Sequence, residues 1–283
     1  MAQRSFSAQF AAGDRVALAL EYNGSAFFGW QAQRKLSLPT VQETLESALA
    51  QIASSPIITI CAGRTDTGVH ASHQLVHFDT PVARTEKAWV FGGNTLLPPA
   101  IAIKWARPVS AEFHARFSAT ARRYRYVIHN HPTRSAHLAA LTTFFPHALD
   151  ADLMHNEAQY LLGEQDFSSF RGAGCQSKTP MRNVHRLKVT RADDFVVIDI
   201  QANAFLLHMV RNIVGTLLAV GCGRQPPGWT ADVLAAKDRT RAAPTAPPQG
   251  LYLVDVHYPV EFALPMATRG PAFLAPLLLD EPF

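Results

Sequence analysis

A short polar turn at residues 63–68 carries the side chains of this chain that are best suited to chemistry. An apolar run, residues 57–62, precedes the turn and predicts a short buried strand. Two glycines bracket the turn, and glycine lets a backbone fold tightly and a ligand approach closely. Arg64 and Asp66 lie between them, and His70 follows. The pattern therefore presents a carboxylate and a guanidinium at the end of a strand.

Asp66 has more than one possible role on such a turn. Aspartate in a turn commonly accepts hydrogen bonds from neighbouring backbone N–H groups, which would make it structural. An ionised aspartate close to an arginine could instead act as a nucleophile or a base towards an electron-poor ring or a sugar carbon. The choice depends on the substrate, which the turn alone does not identify.

Two familiar motifs share parts of this turn. Its Gly-x4-Gly spacing is half of a phosphate-binding P-loop, but Val69 and His70 stand where that motif needs Lys and Ser or Thr, so we reject it. The triplet that begins at Asp66 also matches aspartic proteases, whose chemistry needs two carboxylates sharing one proton. The triplet occurs once, so a homodimer would have to supply the second copy, and Arg64 would keep the carboxylate ionised.

The elements around the turn follow a repeated plan. In the first hundred residues, alternating patterns and a capping box from Thr40 to Glu43 predict one helix among four strands. The strands are predicted at 15–22, 57–62, 74–80 and 101–109. The second half predicts strands at 121–129, 185–191, 195–202 and 250–258, a helix capped by Asp150 and ended by Gly163, an apolar helix over 205–220, and a helix capped by Thr230 that ends at Lys237. This order predicts an α+β protein with two α/β units, each a mostly antiparallel sheet with helices on one face.

The composition is that of an ordinary globular protein. The chain has 283 residues, of which 48% are hydrophobic and 17% charged, enough for one large or two modest domains. Three widely spaced cysteines argue against a disulfide framework and lack the spacing of a zinc site. The start has no apolar core of signal-peptide length, and no stretch is long enough to span a membrane. We therefore expect a cytoplasmic protein.

Positive charge is concentrated in two stretches, residues 113–134 and 177–191, within a net charge of +4. Neither contains an acidic residue, and the first interleaves aromatic residues with its arginines. The basic residues are Arg116, Arg122, Arg123, Arg125, Arg134, Lys178, Arg182, Arg186, Lys188 and Arg191. Each stretch could be a solvated strand face, but together they indicate a basic surface that binds nucleic acid. A non-catalytic RNA-binding protein would have the same surface.

Two further residues are candidates for a cleft. On a strand, Tyr124 shares a face with Arg122, whereas Arg123 and Arg125 point to the other side. Arg211 stands in a very apolar predicted helix, where a charge is costly unless it is paired. Its side chain either extends to the surface or points into a central cleft, where it bonds a carboxylate or a phosphate.

Five ordered blocks of sequence closely resemble the tRNA pseudouridine synthase A family. The likeness runs from about residue 14 to residue 258, with Thr67 where many relatives have Ala. The blocks are Gly63-Arg-Thr-Asp-Thr-Gly-Val-His-Ala71, Phe113-His-Ala-Arg-Phe-Ser-Ala-Thr-Ala-Arg-Arg-Tyr-Arg-Tyr126, Asp166-Phe-Ser-Ser-Phe-Arg171, His208-Met-Val-Arg-Asn-Ile-Val-Gly215 and Ala246-Pro-Pro-Gln-Gly-Leu-Tyr-Leu253.

The resemblance implies a fold and a reaction. The fold would be two ferredoxin-like (RRM-like) units forming one continuous sheet with the active-site cleft between them, the pseudouridine synthase fold. The expected domains are a leader at 1–13, an N-terminal domain at 14–110, a C-terminal domain at 111–260 and a tail at 261–283. The reaction would convert uridine to pseudouridine at positions 38 to 40 of the tRNA anticodon stem-loop.

The resemblance also assigns roles and partners. Asp66 would be the nucleophile, Tyr124 would contact the target base, Arg64 would sit beside Asp66, and Arg211 would lie in the cleft. The protein would be a homodimer with tRNA lying across both subunits, and it would need no cofactor or metal.

Overall fold

The computed structural model describes residues 6–33, 38–267 and 270–274. The chain divides into two compact units: an N-terminal unit of Met1–Thr120 with Leu253–Phe273, and a C-terminal unit of Ala121–Tyr252 with Leu274–Phe283. Part of the expected leader and part of the expected tail lie outside the described residues, and the expected domain bounds stay predictions. No helix within the described ranges is long and apolar enough to cross a lipid bilayer.

The N-terminal unit is an antiparallel sheet with helices. Its sheet runs in the order β6–β2–β4, with β3 paired to β4, which is the strand order of a ferredoxin-like unit. Its elements are β1 (Gln9–Phe10), β2 (Arg15–Tyr22), α1 (Val41–Ala53), β3 (Ile60–Cys61), β4 (His70–Asp79), β5 (Arg84–Thr85), α2 (Gly93–Leu96) and β6 (Ile101–Val109). The predicted strands at 15–22 and 101–109 are confirmed in full.

Helix α1 begins where its capping box predicts. The Thr40 hydroxyl accepts a hydrogen bond from the Glu43 backbone N–H at 3.3 Å and donates one to its carboxylate at 2.8 Å. Val41, Leu45 and Leu49 are buried on one face of the helix. An amphipathic helix with a satisfied N-terminus thus packs on the core of this unit.

The predicted strand at 57–62 is wrong for most of its length, since only Ile60–Cys61 pair with β4. Side chains of α1 form hydrogen bonds with the backbone of Thr59 instead. The Glu46 carboxylate accepts a hydrogen bond from the Thr59 N–H at 2.8 Å, and Gln42 donates one to its carbonyl oxygen at 3.2 Å. Further along, β4 begins at His70 rather than residue 74, and the expected leader contributes β1, which pairs with β5.

The strands of the C-terminal unit are also mostly antiparallel. Its strands lie in the order β7–β11–β10–β9, and β8 runs parallel to β7. Its elements are β7 (Ala121–Asn130), β8 (Thr143–Phe145), α3 (Ala151–Gln159), β9 (Gly163–Asp166), β10 (Met181–Ala192), β11 (Phe195–Ala202), α4 (Met209–Gly221) and α5 (Trp229–Ala236). The last strand, β12 (Leu251–His257), begins in this unit, but most of its residues belong to the N-terminal unit. The predicted α+β class with antiparallel sheets is confirmed.

Three helix bounds in this unit differ from the sequence prediction. Helix α4 begins at Met209 rather than residue 205, because His208 adopts a left-handed conformation with φ 59° that a helix does not continue. Helix α3 ends at Gln159, before the Gly163 predicted to end it. Helix α5 runs from Trp229 to Ala236, so Thr230 lies inside the helix and does not cap it. Its N-terminus is capped by a residue of α3, because the Glu157 carboxylate accepts the N–H groups of Gly228 and Thr230.

Candidate active site

Asp66 stands at the first position of a tight turn that leads into β4. Its carbonyl oxygen accepts a hydrogen bond from the Val69 N–H at 3.1 Å. Gly68 has φ +77°, the positive value that the third residue of a type II turn requires. The Asp66 side chain is half-buried at the start of this turn. Glycine at 68 is thus a geometric requirement of the loop that presents the carboxylate.

Two residues from neighbouring segments hold the turn at Thr65. The Tyr22 hydroxyl and the Thr65 hydroxyl share a hydrogen bond of 2.8 Å, and both side chains are buried. The Trp30 N–H donates to the Thr65 carbonyl oxygen at 3.0 Å. The residue immediately before Asp66 is therefore fixed through both its side chain and its backbone.

A buried glutamine on β4 holds the start of the turn. The Gln74 side chain donates to the Gly63 carbonyl oxygen at 2.5 Å and accepts from the Gly63 N–H at 3.3 Å. Gln74 is fully buried. A side-chain amide bonded to both backbone groups of one residue fixes it as a strand partner would.

The end of the turn packs against Gly24. The Gly24 N–H donates to Nδ1 of the buried His70 at 3.0 Å. A Cβ atom at Gly24 would lie 2.6 Å from the Val69 carbonyl carbon, closer than real atoms approach. The backbone of this segment therefore lies directly against the turn, and only glycine fits there.

Arg64 is exposed and forms no hydrogen bond or ion pair with any described residue of the chain. It lies two residues before Asp66 on the same turn, so the two side chains are brought into one loop. The guanidinium is available to a substrate.

Cys61, by contrast, is buried, and burial raises the pKa of its thiol to about 12, which keeps it unreactive.

Tyr124 belongs to the C-terminal unit. It lies on β7 opposite Ile200 of β11, and its side chain is 8% exposed. The Phe205 ring meets the Tyr124 ring edge-on, with 5.0 Å between their centroids. The aromatic contact fixes the direction of the Tyr124 ring.

The two arginines beside Tyr124 belong to the stretches predicted to form a basic surface that binds nucleic acid, but they are paired within the sheet instead. Arg123 and Arg125 are buried, and both donate to the carboxylate of Asp199 on β11, at 2.6 and 2.7 Å and at 3.1 Å. Burial alone would raise the pKa of Asp199, but these bonds and charges hold it below its ordinary value. These two positive charges therefore stabilise the sheet.

Arg211 lies in the first turn of α4, in the C-terminal unit. Its Nε donates to the Ala246 carbonyl oxygen at 2.8 Å, and its own carbonyl oxygen accepts from the Ala246 N–H at 3.1 Å. The side chain is half-buried. The neighbouring Asn212 is fully buried and donates to the Phe170 carbonyl oxygen at 2.8 Å. The 246–250 segment is thus anchored to α4 by the Arg211 side chain and backbone.

The sequence prediction missed the residues that fix the Asp66 turn. Tyr22 and Gln74 lie on strands and read in sequence as ordinary strand residues, and Gly24 reads only as part of an Asn-Gly turn. A polar Gln in an apolar strand was the one available signal, since a buried amide needs partners.

Comparison with known proteins defines the class. A model of the tRNA pseudouridine synthase family matches residues 18–118 and 158–259. A protein named tRNA pseudouridine synthase A from Histophilus somni (strain 2336) is 57% identical over 266 residues, covering 94% of this chain and 98% of its own length. Its namesake from Pectobacterium atrosepticum is 56% identical over 261 residues, covering 92% of each chain.

The chain belongs to the tRNA pseudouridine synthase family, a class of isomerases, and it has the pseudouridine synthase fold. The resemblance drawn from the five sequence blocks is confirmed. A solved structure of a Cbf5–Nop10–Gar1 complex is also similar, at a TM-score of 0.37 and 10% identity over 84% of this chain and 48% of that one, a likeness too low to support any further conclusion.

Proposed function

We propose that this protein isomerises uridine to pseudouridine at positions 38, 39 and 40 of the anticodon stem-loop of tRNA, with Asp66 as the nucleophile. The observation that carries the proposal is the Asp66 turn, which Tyr22, Trp30 and Gln74 hold from separate segments. A carboxylate on a turn whose backbone is held this firmly needs little backbone reorganisation when it attacks.

The chemistry moves one bond within the substrate. The bond from N1 of uracil to C1′ of ribose breaks, the base turns, and C5 bonds to C1′. The C5 hydrogen leaves as a proton and N1 takes up a proton, so the product is an isomer of the substrate. Asp66 would attack the sugar or the base, or remove a sugar proton. The reaction has no net oxidation or reduction, and the family resemblance implies that it needs no cofactor or metal.

The remaining site residues would bind the substrate. The target base must leave its stack, which costs a few kcal/mol, and the fixed Tyr124 ring would contact it and replace part of the lost stacking. Arg64, exposed and without a partner among the described residues, would contact a phosphate or the flipped nucleotide near Asp66. Arg211 would contribute positive charge to substrate binding. The protein would act as a homodimer, which light scattering at working concentration tests.

The experiment is release of tritium from tRNA transcript labelled at C5 of uracil. We expect release by the wild type and none by Asp66→Asn, with the affinity for tRNA within a few-fold. Thr67→Ala is the matched control, because it alters the adjacent turn residue without removing a carboxylate, and it should stay active. Mapping pseudouridine in the product tests positions 38 to 40. Release by Asp66→Asn would refute the assigned role, and tight binding without release by any form would favour the RNA-binding alternative.

A further inference from the structure

Phe117 is an exposed aromatic side chain to which the proposed function assigns no role. The stretch of 113–134 contains four aromatic rings that could stack on RNA, and the structure separates them. Phe113 and Tyr126 are fully buried and Tyr124 is nearly so, whereas Phe117 is 75% exposed. An aromatic ring left this exposed forgoes the stabilisation that burial would give it.

The turn that carries Phe117 is rigid. Nδ1 of His114 accepts hydrogen bonds from the N–H groups of Arg116 and Phe117, at 3.2 and 3.1 Å. The Ser118 hydroxyl accepts from the His114 N–H at 3.0 Å, and the Ser118 N–H donates to the His114 carbonyl oxygen at 2.9 Å. The exposed position of the ring is therefore fixed by the backbone.

The Phe117 ring is also supported by a second ring, and a positive charge lies over it. The His114 imidazole stacks on it with centroids 4.4 Å apart and an interplanar angle of 28°. Burial, with the nearby charges of Arg15 and Arg116, lowers the pKa of His114, so that this supporting ring is neutral at physiological pH. The Arg116 guanidinium lies 5.5 Å from the centroid of the Phe117 ring.

We propose that Phe117 is a stacking platform for an unpaired nucleobase of the tRNA substrate, with Arg116 contacting the adjacent phosphate. Single-stranded RNA is bound by aromatic rings on which bases stack, combined with cations along the backbone. An exposed ring held on an imidazole, with a guanidinium beside it, provides both contacts within four residues. The inference rests on the proposed tRNA substrate.

The test separates aromatic stacking from apolar contact. Phe117→Leu keeps apolar volume but removes the flat ring, and we expect it to weaken binding of the tRNA transcript about five- to a hundred-fold. Phe117→Trp should bind within about threefold of the wild type because its ring also stacks. Val260→Ala, a change at an apolar residue that is 93% exposed, is the matched control and should bind as the wild type does.

Two further readouts separate a loss of stacking from a change in charge or in oligomeric state. The slope of log affinity against log salt should stay the same in Phe117→Leu, since no charge is lost, and the effect should disappear with fully double-stranded RNA. Equal binding by Phe117→Leu and wild type would overturn the inference, as would loss of the oligomer in Phe117→Leu. If wild type releases no tritium yet binds tRNA through Phe117, the proposed function fails and the platform stands.

Discussion

Gly24→Ala should impair catalysis although Gly24 lies on a different segment from the Asp66 turn. The new Cβ would lie 2.6 Å from the Val69 carbonyl carbon, and ordinary contact begins near 3.4 Å. Both atoms belong to rigid backbone, so the turn has to move. Val69 is hydrogen-bonded to the Asp66 carbonyl oxygen, and the shift therefore reaches the catalytic residue.

The expected loss follows from the size of that shift. Displacement on the scale of 1 Å costs about 10²-fold in rate, or about 2.7 kcal/mol of activation free energy. Overpacking should also lower the free energy of unfolding by about 1–3 kcal/mol. The affinity for tRNA should change little, because contacts with phosphate and base elsewhere are untouched.

Tritium release under single-turnover conditions, with the tRNA affinity measured in parallel, checks this prediction. Gly92→Ala is the matched control. Its φ of −57° suits alanine, and the new Cβ would lie 3.7 Å from the nearest atom of Ile52, an ordinary contact. A rate constant for Gly24→Ala within twofold of Gly92→Ala would refute the reasoning, because it would show that the turn does not depend on this close packing.

Two other predictions concern stability. Asp199→Asn should lower the free energy of unfolding in urea by about 3–5 kcal/mol, because two buried guanidiniums lose their anion, whereas Asp79→Asn at a half-exposed ion pair should cost less than about 1 kcal/mol. The folded-state pKa of Asp199 is below its unfolded value of about 3.9, so its contribution to the free energy of unfolding is complete above about pH 4 and is lost as the pH falls further. If the free energies of unfolding of the wild type and Asp199→Asn differed by the same amount at pH 3 and pH 7, this account would be contradicted. Glu157→Gln should lower the unfolding free energy by about 1–2 kcal/mol in thermal melts, because a charged acceptor is lost at the N-terminus of α5, and leave tritium release by the folded enzyme unchanged.

Local signals predicted the parts of the fold that depend on neighbouring residues. Thr40 and Glu43 predict the start of α1 because both partners of the capping box lie within one turn. The left-handed His208 does not follow from its neighbours, because a histidine with positive φ has no reliable local signature. The short length of β3 does not follow from neighbouring residues either. The backbone groups of Thr59, just before β3, bond to Gln42 and Glu46 of α1, a helix earlier in the chain.

The residues of the candidate site also differ in how far the sequence predicts their roles. Asp66, with its flanking glycines, could be found from the sequence, since the turn and the carboxylate are adjacent. Gln74 could not be assigned its role, because its partner Gly63 is brought to it only by the pairing of β3 with β4. A catalytic side chain has its own local pattern, whereas the residues that position it are identified by contacts between separate segments.

The basic stretches show why a count of charges overestimates an RNA-binding surface. A window that contains only arginines and lysines looks unpaired, but the partner of a strand residue lies on the next strand and not in the window. Asp199 of β11 neutralises Arg123 and Arg125 in this way. Arg182 is buried and donates to the carbonyl oxygens of Thr179 and Met181. Since only phosphate-bound charges release counterions, the affinity for tRNA should fall less steeply with salt than contacts from all ten basic residues would give.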